Sequence, residues 1–156
     1  MAKLKYSKYF LHKLPEAQRK KGFGRMPSMV AFTDADIIEG SRYFSVMWMG
    51  KEATKSAGHG PHIHKDPELL VALGTDPANP RNLGADMEMC MGPEMERHIV
   101  TESTMIWIPA NFIHCPFRIL KVRRPFIFIQ CQYAPRLTEK SVSYTHLRAH
   151  ETGRNL

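Results

Sequence analysis

The chain has 156 residues, of which 43% are hydrophobic, and a formal net charge of +7. That length suits one domain, and that apolar share lets it bury a core. No apolar run approaches the roughly 20 residues of a membrane span, and the basic N-terminus lacks the apolar stretch of a signal peptide.

The positive charge is concentrated at the start. Residues 1–25 hold eight Lys or Arg against Glu16 alone, whereas residues 26–141 carry a net charge of −1. A basic arm can touch nucleic acid. No nucleic-acid motif accompanies this one, so a solvated, partly helical lead-in is expected and nucleic acid is not. Residues 15–21 predict a short helix, because Pro15 suits a helix start and Gly22 a helix end. Residues 29–32 predict a short strand, and the segment with Asp34, Asp36, Glu39 and Gly40 predicts a turn.

From residue 42 the chain reads as short strands separated by turns, the pattern of an all-β sandwich or barrel. Strands are predicted over 42–49, 68–73, 86–91, 97–100, 104–108, 115–121 and 126–133. Residues 75–84 read as a loop built from Asp76, Pro77, Asn79, Pro80 and Asn82. Met87, Met89 and Met91 alternate onto one face and read as adaptable core. Cys90, Cys115 and Cys131 lie in apolar stretches without paired spacing, which reads as reduced thiols in a cytoplasmic protein.

The chemistry-bearing stretch runs from Gly58 to Glu68. Pro61 and the flanking glycines exclude a helix there. On an extended chain His62 and His64 point to the same side, and neutral imidazole is the commonest protein ligand for a metal. A turn at Lys65, Asp66 and Pro67 can bring Glu68 back toward them. A metal centre needs about three or four protein ligands. His114, at the end of Pro109-Ala110-Asn111-Phe112-Ile113-His114, is the downstream candidate. Singly, the four have ordinary readings: surface histidines in a glycine-rich loop, a satisfied core histidine, a solvated carboxylate. Together they favour a metal. His59 and His98 stand outside this set, and Cys115 should face away from its neighbour His114.

These residues carry a resemblance. The spacing His-x-His-x-x-x-Glu over 62–68 resembles the first motif of the cupin superfamily, and residues 109–114 resemble its second, Pro-x-Gly-x-x-His. The resemblance covers roughly residues 42–134. Asn111 stands at the second motif's glycine, Ser56 and Ser103 at two further glycine positions, and Arg118 at a trailing Asn. Asn is the next best residue after Gly for a left-handed turn.

The resemblance implies an all-β fold, a double-stranded β-helix or small RmlC-like jelly roll. It implies that His62, His64, Glu68 and His114 hold one divalent ion: Fe(II), Mn(II), Ni(II), Co(II) or Zn(II). Two open coordination positions then permit dioxygenase- or isomerase-like chemistry on a small molecule. The alternative is a non-catalytic protein that binds or senses a small ligand around a structural metal. Cupins of this size commonly pair, so a homodimer is expected. Tyr43, Met47, Met89, Trp107 and Phe128 are candidates for the pocket wall, and Arg118 and Lys121 for exposed charges.

The expected organisation is an N-terminal arm with a lead-in strand over 1–41, a barrel over 42–140 and a tail over 141–156. Beyond Val142, residues 143–151 resemble a translated sequencing adapter, so the tail is expected to be non-native and is set aside.

Overall fold

The structure is a computed structural model that describes residues 5–11, 14, 29–56 and 58–142. The helix predicted over 15–21 and the adapter-like segment lie outside the described residues. The described part of the N-terminal arm holds one 3-10 turn, Ser7–Tyr9.

The chain forms β1 (Met29–Thr33), β2 (Phe44–Met49), a one-turn helix α1 (Ala53–Ser56), and the short β3 (Gly58–His59) and β4 (His62–Ile63). It continues through β5 (Glu68–Gly74), β6 (Asn82–Met91), β7 (Glu96–Glu102), β8 (Thr104–Ile108), β9 (His114–Val122), β10 (Phe126–Gln132) and β11 (Lys140–Ser141). One antiparallel sheet has the order β1-β2-β10-β5-β8. The other has the order β11-β4-β9-β6-β7, with β3 also pairing β9. Strands distant in sequence lie side by side because the chain crosses between the sheets. This is the expected all-β jelly roll.

Alternation of side chains builds the core. Along β2, Ser45, Met47 and Met49 point inward and are buried, while Phe44, Val46 and Trp48 point out. Leu83, Ala85, Met87, Ile108 and Phe126 meet between the sheets with no exposed surface. On β10 the inward face changes character along the strand: Phe126 and Phe128 are followed at the same period by Gln130 and Gln132. The polar end of that strand lies beside the first residue of β5, Glu68.

The largest boundary difference from expectation is at β6. The predicted loop over 75–84 ends early, because β6 already starts at Asn82. Gly84 at φ +73° and a register shift between Asn82 and Met87 form an irregularity inside the strand. Asn82 caps it by accepting the Gly84 N–H at 2.8 Å. Asn and Gly there serve a bulge, not a longer loop, and Leu83 and Ala85 keep the inward alternation of Met87 and Met89. Among the described residues, no helix is long and apolar enough to cross a membrane.

Candidate metal centre

The four candidate side chains reach one point from three places in the chain. His62 on β4 is the direct cross-strand partner of His114 on β9, and their rings lie 4.2 Å apart between centroids. His64 follows His62 on the same side, as the extended reading predicts. The ligand-capable nitrogens of His62, His64 and His114 all lie within 4.8 Å of one another. Glu68 opens β5 after the turn at Pro67, and its Oε2 stands 3.5 Å from Nε2 of both His64 and His114. All four are almost wholly buried, none more than 4% exposed.

Backbone carbonyls fix how each ring presents itself. His62 Nδ1 donates to the Gly60 carbonyl at 2.8 Å and His114 Nδ1 to the Phe112 carbonyl at 3.1 Å. His64 Nδ1 donates to the Thr138 carbonyl. With the proton held on Nδ1, a neutral ring turns the lone pair of Nε2 toward the common centre. His62 Nε2 and His64 Nε2 approach to 3.1 Å. Among the described residues, His114 Nε2 is buried without a hydrogen-bond partner.

Three lone pairs and a carboxylate facing one another in a dry interior repel unless a cation sits among them. Two ligands each about 2.1 Å from one ion lie about 3.0 Å apart at a right angle and about 3.4 Å apart at a tetrahedral angle. The contacts of 3.1 and 3.5 Å match that spacing, so the residues present fit a divalent ion. Without one, the chain answers with a proton. Burial works against charging His64, but the Glu68 carboxylate and the Thr138 carbonyl outweigh it and raise its pKa above 6.5. Burial likewise pushes Glu68 up, yet His114 and His64 hold it down at about 2. Burial, assisted by the neighbouring His114, lowers His62.

Two glutamines that the sequence reading missed hold this set in place. Gln132 is the cross-strand partner of Glu68. Its Nε2 donates to Glu68 Oε1 at 3.3 Å, while its Oε1 accepts the Thr138 N–H at 3.0 Å. Thr138 in turn receives His64, so one buried amide positions two of the four residues. Gln130 Nε2 donates to Glu68 Oε1 at 3.2 Å. The signal was present in the sequence: two amides at alternate, inward positions of an otherwise apolar strand.

A cavity of about 40 Å³ opens beside the four residues. Met47, Met89 and Phe128 line it, as expected. Tyr43 does not; it is buried behind Gln130, 3.5 Å from its Oε1. Trp107 does not line it either. Trp107 pairs with Leu69 while Ile108 pairs with Glu68, which places Trp107 on the outer face, half exposed.

Cys115 also departs from expectation, since it lines the same cavity as His114. At φ +68° the chain is not extended there, so strand alternation fails at that residue. Its Sγ lies 3.9 Å from Met89 Sδ, and burial pushes its thiol pKa far up. It presents no thiolate. His59 lines the cavity from outside the four-residue set, with its ring 5.8 Å from that of His62. His98 is exposed and meets Glu96 at 2.9 Å. Arg118 pairs with Glu88 at 3.0 Å, away from the site.

No protein-family model matches the chain, and no curated protein sequence does. Solved structures do. The chain is similar to peruvianin-I, a cysteine peptidase from Thevetia peruviana latex, over 90% of this chain and 80% of that one, at 10% identity and a TM-score of 0.50. It is similar to a cupin protein from Bacteroides fragilis over 72% of this chain and 83% of that one, at 14% identity and a TM-score of 0.42. It is similar to FeII HppE over 67% of this chain, at 13% identity and a TM-score of 0.41, and spans 47% of the length of that protein. At such identities likeness speaks to fold alone. With two antiparallel sheets in this strand order, the chain has an all-β jelly-roll fold, a small double-stranded β-helix.

Proposed function

We propose that the chain is a metal-dependent enzyme acting on a small molecule, with His62, His64, Glu68 and His114 as ligands of one divalent ion: Fe, Mn, Ni, Co or Zn. One observation carries the reading. All three imidazoles give their Nδ1 protons to backbone carbonyls, which leaves three Nε2 lone pairs and one carboxylate to share a single buried point. When bound, the ion would supply Lewis-acid or redox chemistry beside the cavity. The chain's own residues orient the ligands through Gln132 and Thr138 and exclude water with a wall of methionine and phenylalanine.

Among the described cavity-lining residues outside the ligand set, His59 is the one candidate for a general acid or base. That scarcity supports the second reading, a protein that binds or senses a small ligand without turning it over. The test has two arms. Elemental analysis should find one divalent ion per chain in the purified protein and none in the His62→Ala/His114→Ala double variant. Retention of a full equivalent by that variant refutes the ligand assignment. Oxygen uptake or turnover of a small-acid panel supports the enzyme, whereas binding without turnover supports the sensor.

We also propose that the chain pairs as a homodimer through the outer face of the β1-β2-β10-β5-β8 sheet. Register aligns Val46, Ile129, Val71 and Met105 in one row across four strands, and Phe44, Cys131, Leu69 and Trp107 in the next. Neither row contains a charge. The outer face of the other sheet carries Asp86, Glu88, Arg118 and Arg123 in ion pairs, as a solvated face does. Phe44, Trp48, Trp107 and Tyr133 are 37–50% exposed, leaving roughly 400 Å² of aromatic surface open. Met105 and Leu73, 70% and 39% exposed, add to the same face, and a contiguous exposed apolar patch marks an interaction surface. Sedimentation equilibrium should give a dimer that Met105→Glu with Trp107→Lys converts to a folded monomer. A wild-type monomer at high concentration refutes the pairing. The free thiols of Cys90, Cys115 and Cys131 support a reducing, cytoplasmic compartment.

A further inference from the structure

The cavity beside the four site residues is small and chemically one-sided. A buried water needs roughly 10–15 Å³, so the 40 Å³ cavity matches about three waters or a molecule with few heavy atoms. Met47, Met49, Met89 and Leu70 form much of its wall, with the rings of Phe117 and Phe128 stacked 5.0 Å apart. Among the described residues, no Lys or Arg lines it. Gln130 lines it too, but its Nε2 donates to Glu68 and its Oε1 faces the Tyr43 hydroxyl. His59 is the one further imidazole on the wall, and Glu139 lies beside it; among the described residues the wall therefore has no permanent cation and few free hydrogen-bond partners.

We infer that the site takes a small molecule with a single metal-binding head group and a short, uncharged, apolar body. This rests on the metal reading above. A head group finds its counter-charge at the ion. A second carboxylate, a phosphate or a row of hydroxyls would be buried mainly against methionine and phenylalanine, with no Lys or Arg among the described residues to pair with, which is unfavourable. An apolar body gains about fourfold in affinity per buried methylene, the equivalent of ~0.8 kcal/mol, until the space is full. The methionines can re-pack around bodies of slightly different shape, so the selection acts on charge and length more than on outline.

The full chain loaded with Co(II) tests this, with ligand binding read from the cobalt absorption bands. The probes are formate, acetate, propionate, butyrate and hexanoate, set against succinate, inorganic phosphate and glucose. Affinity should rise about fourfold per methylene from acetate to butyrate and fall at hexanoate. Succinate and phosphate should bind at least tenfold more weakly than butyrate, and glucose should leave the bands unchanged. Succinate or phosphate binding as tightly as butyrate overturns the inference, as does a flat series from formate to hexanoate. In either case an intact Co(II) spectrum, absent in the His62→Ala/His114→Ala protein, leaves the metal reading standing. A wild-type chain that takes up no Co(II) overturns both.

Discussion

The backbone N–H of Asn111 donates to the carbonyl oxygen of His64 at 2.7 Å, which ties the loop before His114 directly to the strand that carries the first two histidines. Asn111 makes this bond from the left-handed region, at φ +59°. That explains why asparagine can stand where the cupin motif has glycine. Asn111→Gly should leave stability and metal affinity nearly unchanged. Asn111→Val should cost about 1–2 kcal/mol, because a β-branched residue is strained at positive φ. In a chain of this size that lowers the melting temperature by roughly 3–6 °C. Differential scanning calorimetry of both variants decides it, and equal melting points for the two would remove the backbone argument.

Gln132 links two of the proposed ligands at once, and its removal should act on the metal more than on the fold. Gln132→Leu deletes the donor to Glu68 and frees the Thr138 N–H that positions the acceptor of His64. Loss of such an outer partner typically weakens metal binding by about 10–100-fold. Gln130→Leu removes a contact to Glu68 alone and should cost less. Competition with a chromophoric chelator gives both affinities, and a larger loss in Gln130→Leu would contradict the assigned order.

Protons and the metal compete for the same centre, which fixes the sign of a pH effect. In the metal-free protein His64 holds its proton above the ordinary 6.5. Its contribution to stability is fully present below 6.5 and is lost as pH rises through the raised value. Glu68 is held down at about 2 from 4.5. Its contribution is present above 4.5 and is lost as pH falls from there toward 2. The metal-free chain should therefore gain most from this pair between about pH 4.5 and 6.5. Metal binding must release the His64 proton, so the rise in melting temperature on adding metal should grow as pH increases through that range. A rise that shrinks with increasing pH would be incompatible with imidazole ligation.

Much of the site was legible in the sequence because a motif is a statement about spacing, and spacing survives translation into strands. His62 and His64 needed only an extended chain to share a side, and Glu68 needed only a turn. The wall was less legible. A strand shifted by one residue exchanges its two faces, and nothing in Thr104 to Ile108 says which alternate set points inward. Pairing of Ile108 with Glu68 settles it, and Trp107 goes outside. Cys115 escaped for a different reason, because its positive φ breaks the alternation on which the expectation stood. Gln132 was missed because an amide in an apolar strand has no visible partner until β5 is laid beside β10.

The far end of β5 offers a way to separate stability from chemistry. A Cβ added at Gly74 would sit 2.0 Å from the Asn82 carbonyl oxygen, a backbone atom that cannot rotate away. The Gly74 N–H also donates to Ser103 Oγ at 2.8 Å, and that hydroxyl donates to the Pro80 carbonyl at 2.6 Å. Ser103, at a cupin glycine position, thus stitches the loop after β5 to the turn between β7 and β8. Gly74→Ala must push these segments apart, and overpacking of this kind costs about 1–3 kcal/mol or more, or roughly 3–12 °C in melting temperature. Six residues of extended chain separate Gly74 from Glu68, about 20 Å at ~3.3 Å per residue. The folded variant should therefore bind metal with wild-type affinity below its melting point. Loss of metal affinity in a Gly74→Ala protein that still shows a cooperative melt would mean the two ends of the barrel are coupled, against the local account of the site given by Gln132, Thr138 and the three carbonyls.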